Sequence, residues 1–247
     1  MMAASELSKG EEVGKSAFAR VTAMIYWVLV LEIMFLVTVS PGLIASFFLP
    51  PDLSNLPLFA VCLLPFGPSL SALVFAWRRR QFELDLSPAA RFWRGYRINL
   101  VDVLKWWVPF LILIALGSFV ATHLEFTFLP EGSVWLFVVL GVLACLWAGH
   151  MFIVTSVFSF RTRDAARLSI YFFFRCFPAT LLYLSLLVVC FALTYLVGIW
   201  LPVLCGSILA AMYVRAAHVE MYLVTDQFTP HEEDSEDESD EDDEDED

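Results

Sequence analysis

The run LPLFAVCLLPFGPSLSALVFAWRRR, residues 56–80, is apolar from Leu56 to Ala76 and then meets three consecutive arginines, Arg78, Arg79 and Arg80. Roughly 20 apolar residues in a helix cover about 30 Å, the hydrocarbon thickness of a bilayer. Arginines that close such a run belong on the cytoplasmic side, where Lys and Arg flanks are retained. The same pattern recurs along the chain. Further apolar runs, Val21 to Ser40, Trp106 to Thr122, Val134 to Phe158, Ala179 to Leu196 and Leu201 to Val214, bring the predicted spans to about six.

With alternate connections assigned to opposite faces, all fifteen Lys and Arg fall on one of them. Lys9, Lys15 and Arg20 precede the first span, and Arg78, Arg79, Arg80, Arg91, Arg94, Arg97 and Lys105 follow the second. Arg161, Arg163, Arg167 and Arg175 follow the fourth, and Arg215 closes the sixth. The pattern predicts an all-α polytopic bundle in the cytoplasmic membrane, multi-pass, with both termini inside. A composition of 59% hydrophobic and 17% charged residues argues against a soluble domain of this length. The first run is too long for a signal-peptide core and lacks a small-residue processing site, so it is expected to stay as an anchor. The last two runs form one apolar stretch interrupted by Gly198, Pro202 and Gly206. A hairpin near Gly198 and Trp200 returns Arg215 to the cytoplasm, whereas one long span would put the C-terminus outside.

Three segments follow: a cytoplasmic N-terminal piece over 1–17, a transmembrane domain over 18–217 and a tail over 218–247. From Glu232 to Asp247 every residue except Ser235 and Ser239 is Asp or Glu. Fourteen of the 27 acids lie there, so fifteen Lys and Arg face thirteen acids in the remainder, a balance of +2. Such a run repels itself and buries nothing, which predicts disorder. It is either a solvated tail or a dock for a basic partner. Cys62, Cys145, Cys190 and Cys205 lie in apolar runs and Cys176 at a boundary, with no Cys-x-x-Cys pair. They read as packing residues, and neither a metal nor a cofactor is expected.

Between the second and third spans, Ser87 can cap a helix and Pro88 suits its first turn. Helical spacing then sets Phe92, Tyr96, Leu100 and Val103 along one stripe and Arg91, Arg94 and Arg97 on a neighbouring face. This predicts an interfacial or partner-binding helix built from Arg91, Phe92, Trp93, Arg94, Tyr96 and Arg97, lying on the cytoplasmic surface before the chain turns into the span at Trp106 and Trp107. A shorter echo, Ala165-Ala166-Arg167 against Ala89-Ala90-Arg91, hints at duplication. Basic segments beside spans follow from topology and anionic lipid, so nucleic acid is not expected as a partner.

The combination of Leu64-Pro65-Phe66-Gly67-Pro68-Ser69-Leu70-Ser71-Ala72-Leu73, an arginine exit, and Phe92-Trp93-Arg94-Gly95-Tyr96-Arg97-Ile98-Asn99 resembles the YesL family of bacterial integral membrane proteins, a domain of unknown function. The resemblance covers roughly Phe18 to Arg215. It implies association with carbohydrate-uptake systems of the ABC type, with importer subunits as partners, and no established catalytic activity. The connection around Pro50, Pro51 and Asp52 and the acidic tail depart from the family pattern.

Pro65, Gly67 and Pro68 predict a helix break within the second span, tolerable where neighbours satisfy the freed carbonyls. Broken helices line transporter sites, and they also occur as packing kinks. Small residues at Ser69, Ser71 and Ala72, and at Ser207, Ala210 and Ala211, make these two faces candidate contacts with each other. Glu32 is the outstanding ionisable residue within a span, eleven residues or about 17 Å beyond Val21. A charge there costs about 2.5 to 3.5 kcal/mol, so Glu32 is expected to be neutral, paired or facing water. By depth, His150 is the partner the sequence offers, forming with Glu32 a candidate intramembrane polar site. The other reading is a Glu32 hydrogen-bonded within the bundle.

No Gly-x-Ser-x-Gly elbow, Gly-x-x-x-x-Gly-Lys loop or His-Glu-x-x-His pair occurs, and no catalytic residue is assigned. The expectation is a non-enzymatic accessory or assembly protein linked to carbohydrate uptake. The alternative is a small secondary transporter or channel with a pathway near Glu32 and the broken second span.

Overall fold

The computed structural model describes residues 2–50, 52, 55–79, 87–123, 130, 132–158 and 161–218, with backbone alone for 2–20, 56 and 79. The segments expected to form the acidic tail and the arginine exit beyond Arg79 lie outside the described residues. Among those described, the chain is all helical: α1 Met2–Phe47, α2 Leu56–Cys62, α3 Phe66–Arg79, α4 Pro88–Thr122, α5 Ser133–Val157, α6 Thr162–Arg175, α7 Phe177–Val197, α8 Trp200–Leu204 and α9 Gly206–Ala216.

Among the described residues, five stretches are long and apolar enough to cross a membrane: Val21–Phe47, Pro57–Arg78, Pro88–Thr122, Ser133–Val157 and Phe177–Val197. The sixth predicted span differs. Gly198, at φ 108, takes a backbone conformation that a Cβ disfavours and ends α7. The chain then makes the five-residue α8 and the eleven-residue α9, which packs back against α1, α3 and α7. At about 1.5 Å per residue α9 is about 16 Å long, half a hydrocarbon layer. The hairpin is therefore present, and its return arm is a broken pair of helices.

A second correction concerns α4. The predicted interfacial helix and the third span are one helix of 35 residues, about 52 Å long. Ser87 caps it, its side chain accepting from the Ala90 amide at 3.4 Å, and Pro88 occupies the first turn. No turn follows at Trp106, because α1, α3 and α5 surround the helix and bury Phe92, Gly95, Asn99, Val103, Trp106, Trp107 and Phe110 along one side. Continuous burial along that side favours one unbroken helix over a fold onto the bilayer surface.

The core has two parts. The larger gathers Val74, Trp106, Trp107, Met151, Phe152 and Phe172 from α3, α4, α5 and α6. The smaller gathers Leu31, Phe35 and Val39 of α1 with Ala72, Leu73, Ala76 and Trp77 of α3, Phe92 of α4 and Ala210 of α9. Leu31, Phe35 and Val39 recur every four residues, the stripe a helix presents to one neighbouring groove. α3 and α9 meet in this second part, where Ala72 and Ala210 share the cluster, and Ser69 and Ser207 are fully buried; Ser71, predicted on the same face of α3, turns instead to Ser156 of α5. On α7 only Ala179, Thr180 and Tyr183 are buried, and its remaining turns present apolar side chains outward.

Candidate functional site

Glu32 sits beside the buried α1 stripe and reaches across to the start of α9. Its Oε2 accepts a 2.7 Å hydrogen bond from the Ser207 amide, and the Gly206 amide adjoins the same carboxylate. The first amides of any helix lack intrahelical acceptors, and in hydrocarbon no water supplies them. A carboxylate answers both needs, since it accepts the Ser207 amide and sits against the positive end of the helix dipole. Phe35, one turn along α1, lies on Gly206, where a Cβ would come within 2.5 Å of the ring. Gly206 thus lets α1 approach closely enough for Glu32 to reach the amides. Oε1 of Glu32 and Oγ of Ser207 are buried beside this contact and have no hydrogen-bond partner among the described residues.

The break in the second predicted span falls at Leu63–Pro65, between α2 and α3, with Gly67 and Pro68 in the first turn of α3. Pro68 has no N–H to lose there, so the interruption lies on the N-terminal side of the Pro-x-Gly-Pro motif. Two carbonyls at the break take a side-chain donor as well as a backbone one: Leu63 O accepts from the Phe66 amide and from Trp107 Nε1, both at 3.1 Å, and Pro65 O accepts from the Ser69 amide at 3.3 Å and from Ser69 Oγ at 2.7 Å. Gly67 gives the Trp107 indole its place, as a Cβ would meet that ring at 2.6 Å. Phe66 lies between Phe35 and Trp107, with ring centroids 5.9 and 6.4 Å away. One aromatic row therefore joins the Leu63–Pro65 break to the start of α9.

Glu32 and His150 are not partners. His150, fully buried on α5, has Nε2 3.0 Å from Thr180 Oγ1 and its ring 4.9 Å from that of Tyr183. Tyr213 of α9 donates its hydroxyl to Gly149 O and packs 4.8 Å from Tyr183. Glu32 therefore holds the first turn of α9, while Gly149 and Tyr183, the neighbours of His150, hold Tyr213 in its last.

The six residues predicted to face headgroups or a partner divide between two surroundings. Arg94, Arg97 and Trp93 are exposed; Arg97 lies over the Trp93 ring at 5.1 Å, and Trp93 stacks on Tyr96 at 5.6 Å. Arg91 and Phe92 instead point into the bundle. Arg91 is 1% exposed, its Cζ 5.0 Å from the centre of the Trp27 ring. The predicted shared arginine face is split, because Arg91 falls in line with Gly95 and Asn99 on the side that α1 and α3 cover.

One buried polar group escapes sequence reasoning. Ser71 Oγ of α3 and Ser156 Oγ of α5 are 2.7 Å apart, and Asn99 Nδ2 of α4 donates to Ser71 Oγ at 3.2 Å and to Ser156 O at 3.5 Å. Arg78 adds a hydrogen bond to Val157 O on the next residue of α5. A lone Asn on the side of α4 bearing Gly95 and Val103 was its only local signal.

No family model matches this sequence, and no curated protein or solved structure matches it either.

Proposed function

We propose that this protein is a non-enzymatic multispanning component of the cytoplasmic membrane, with both termini inside, that acts as an accessory or assembly partner of another membrane complex. The observation that carries this reading is the use of Glu32, which holds the Ser207 amide of α9 and so fastens the return arm of the hairpin to α1. Three other buried polar side chains behave alike: Trp107 donates to Leu63 O, Asn99 joins α3 to α5, and His150 meets Thr180. Such pairing suits a scaffold that keeps its shape in lipid. The outward apolar turns of α7 add surface for lipid or for a neighbouring helix. The YesL resemblance makes subunits of a carbohydrate importer of the ABC type the partners to test first.

A second reading, a small secondary transporter, is favoured by the pair of helix breaks joined through Phe35 and Phe66, since discontinuous helices build substrate sites in transporters. Affinity purification in mild detergent from cells grown on several carbohydrates separates the two. Stoichiometric recovery of importer subunits supports the accessory role, and its loss in a chain ending before Glu232 assigns recognition to the tail. Recovery of the protein alone under every growth condition, together with solute flux in reconstituted vesicles, replaces the accessory reading with transport.

A further inference from the structure

We infer that Arg91 is the receptor for a phosphate-type oxyanion at the end of the bundle where α4 begins, carried by a lipid headgroup or free in solution. A guanidinium stays charged and presents five N–H donors in a planar fork. Arg91 is 1% exposed, and neither Nε nor either terminal nitrogen has a hydrogen-bond acceptor among the described residues. Its contact is the face of Trp27, which stabilises the cation but accepts none of the in-plane N–H groups. Buried charges are ordinarily paired, because an uncompensated one loses its hydration without return. The nearby arginines have other outlets: Arg94 and Arg97 are exposed, and Arg78 donates to Val157 O. Among the described arginine side chains near it, Arg91 is the one whose chemistry calls for an anion.

The setting selects phosphate. Arg91 belongs to the first turns of α4, so the positive end of a 35-residue helix adds to its field. Trp93, Ile98 and Val101 are exposed on the same helix and form an apolar border that sets this end at membrane level. Anionic phosphates are concentrated at the cytoplasmic surface of a bilayer, and the guanidinium fork matches their oxygens in bidentate fashion. An anion reaching Arg91 has to part α1 from α4 at Trp27, so its binding fixes the spacing of those two helices.

The test uses the full chain purified in neutral detergent and reads its thermal midpoint. Phosphatidylglycerol, phosphatidylcholine and inorganic phosphate at matched ionic strength are added separately to the wild type, R91Q, R91M and R94Q. Phosphatidylglycerol is expected to raise the wild-type and R94Q midpoints by about 5 °C and to leave R91Q and R91M unmoved. Met fills the volume of the arginine stem without a charge, so R91M keeps the test open should R91Q not fold. An equal rise with inorganic phosphate identifies a soluble source; a rise with phosphatidylglycerol alone identifies the headgroup. A wild type that responds to neither, or an R91M that responds as the wild type does, overturns the proposal. So does a chain ending before Glu232 that acquires a phosphatidylglycerol response the full chain lacks, since acidic side chains of the tail would then be the occupant.

Discussion

Ser207 donates its backbone N–H to Glu32 Oε2 at 2.7 Å, across 175 residues of sequence. This bond ties the first span to the last helix and gives a mid-span carboxylate a structural reason to exist. A helix that starts inside hydrocarbon needs an acceptor for its first amides, and the span packed beside it supplies one.

Replacing Glu32 separates charge from acceptor. Glu32→Gln keeps an oxygen for the Ser207 amide and is expected to hold the midpoint within a few degrees of the wild type. Glu32→Leu leaves buried amides unpaired and is expected to cost about 1 to 3 kcal/mol. Thermal unfolding in detergent, with abundance in the membrane as the second readout, checks both. Equal loss in the two variants would mean that the charge itself, and not the acceptor, holds α9.

The all-helical character and the apolar spans were legible, because length and hydropathy alone carry them. The break near Pro65 was legible because proline lacks an N–H, whereas the second donor to Leu63 O, the Trp107 indole, comes from 44 residues away and was not. The surroundings of Arg91 were not legible: helical spacing sets it beside Arg94, and only the packing of α1 and α3 decides which of the two is covered. The true neighbours of Glu32 and His150 lie 175 and 30 residues away, so matching them by depth paired two groups that meet different helices.

Gly206 and Phe35 form a tight pair that a double-mutant cycle can isolate. A Cβ at position 206 meets the buried Phe35 ring at 2.5 Å, so Gly206→Ala is expected to cost about 1 to 3 kcal/mol by overpacking. Phe35→Leu removes the ring edge and should recover part of that loss, making the double variant more stable than the sum of the singles predicts. Strict additivity would place the clash elsewhere.

Asn99 links three helices through Ser71 and Ser156, so its removal should loosen α3, α4 and α5 together. Interhelical hydrogen bonds in membranes average about 0.6 kcal/mol and reach about 1.7. Asn99→Leu is therefore expected to lower stability by about 1 to 2 kcal/mol, with Ser156→Ala smaller and not additive to it. Unfolding followed in detergent of increasing denaturant strength measures both, and full additivity would show that the three side chains do not act as one network.

The orientation proposed from the one-sided arginines is open to direct chemistry. Gly132 lies just before α5 and Arg163 in the first turn of α6, both exposed and at opposite ends of the α5 span. With the five native cysteines replaced, Gly132→Cys and Arg163→Cys place one thiol at each end without entering the core. In intact cells a membrane-impermeant maleimide is expected to label the first and spare the second, and permeabilised cells should label both. Labelling of Arg163→Cys in intact cells would reverse the bundle, leave every basic connection outside, and remove the cytoplasmic placement on which the accessory reading rests. Labelling at neither position would instead show that α5 does not open to the outer face, contradicting a span that its 25 apolar-rich residues are long enough to make.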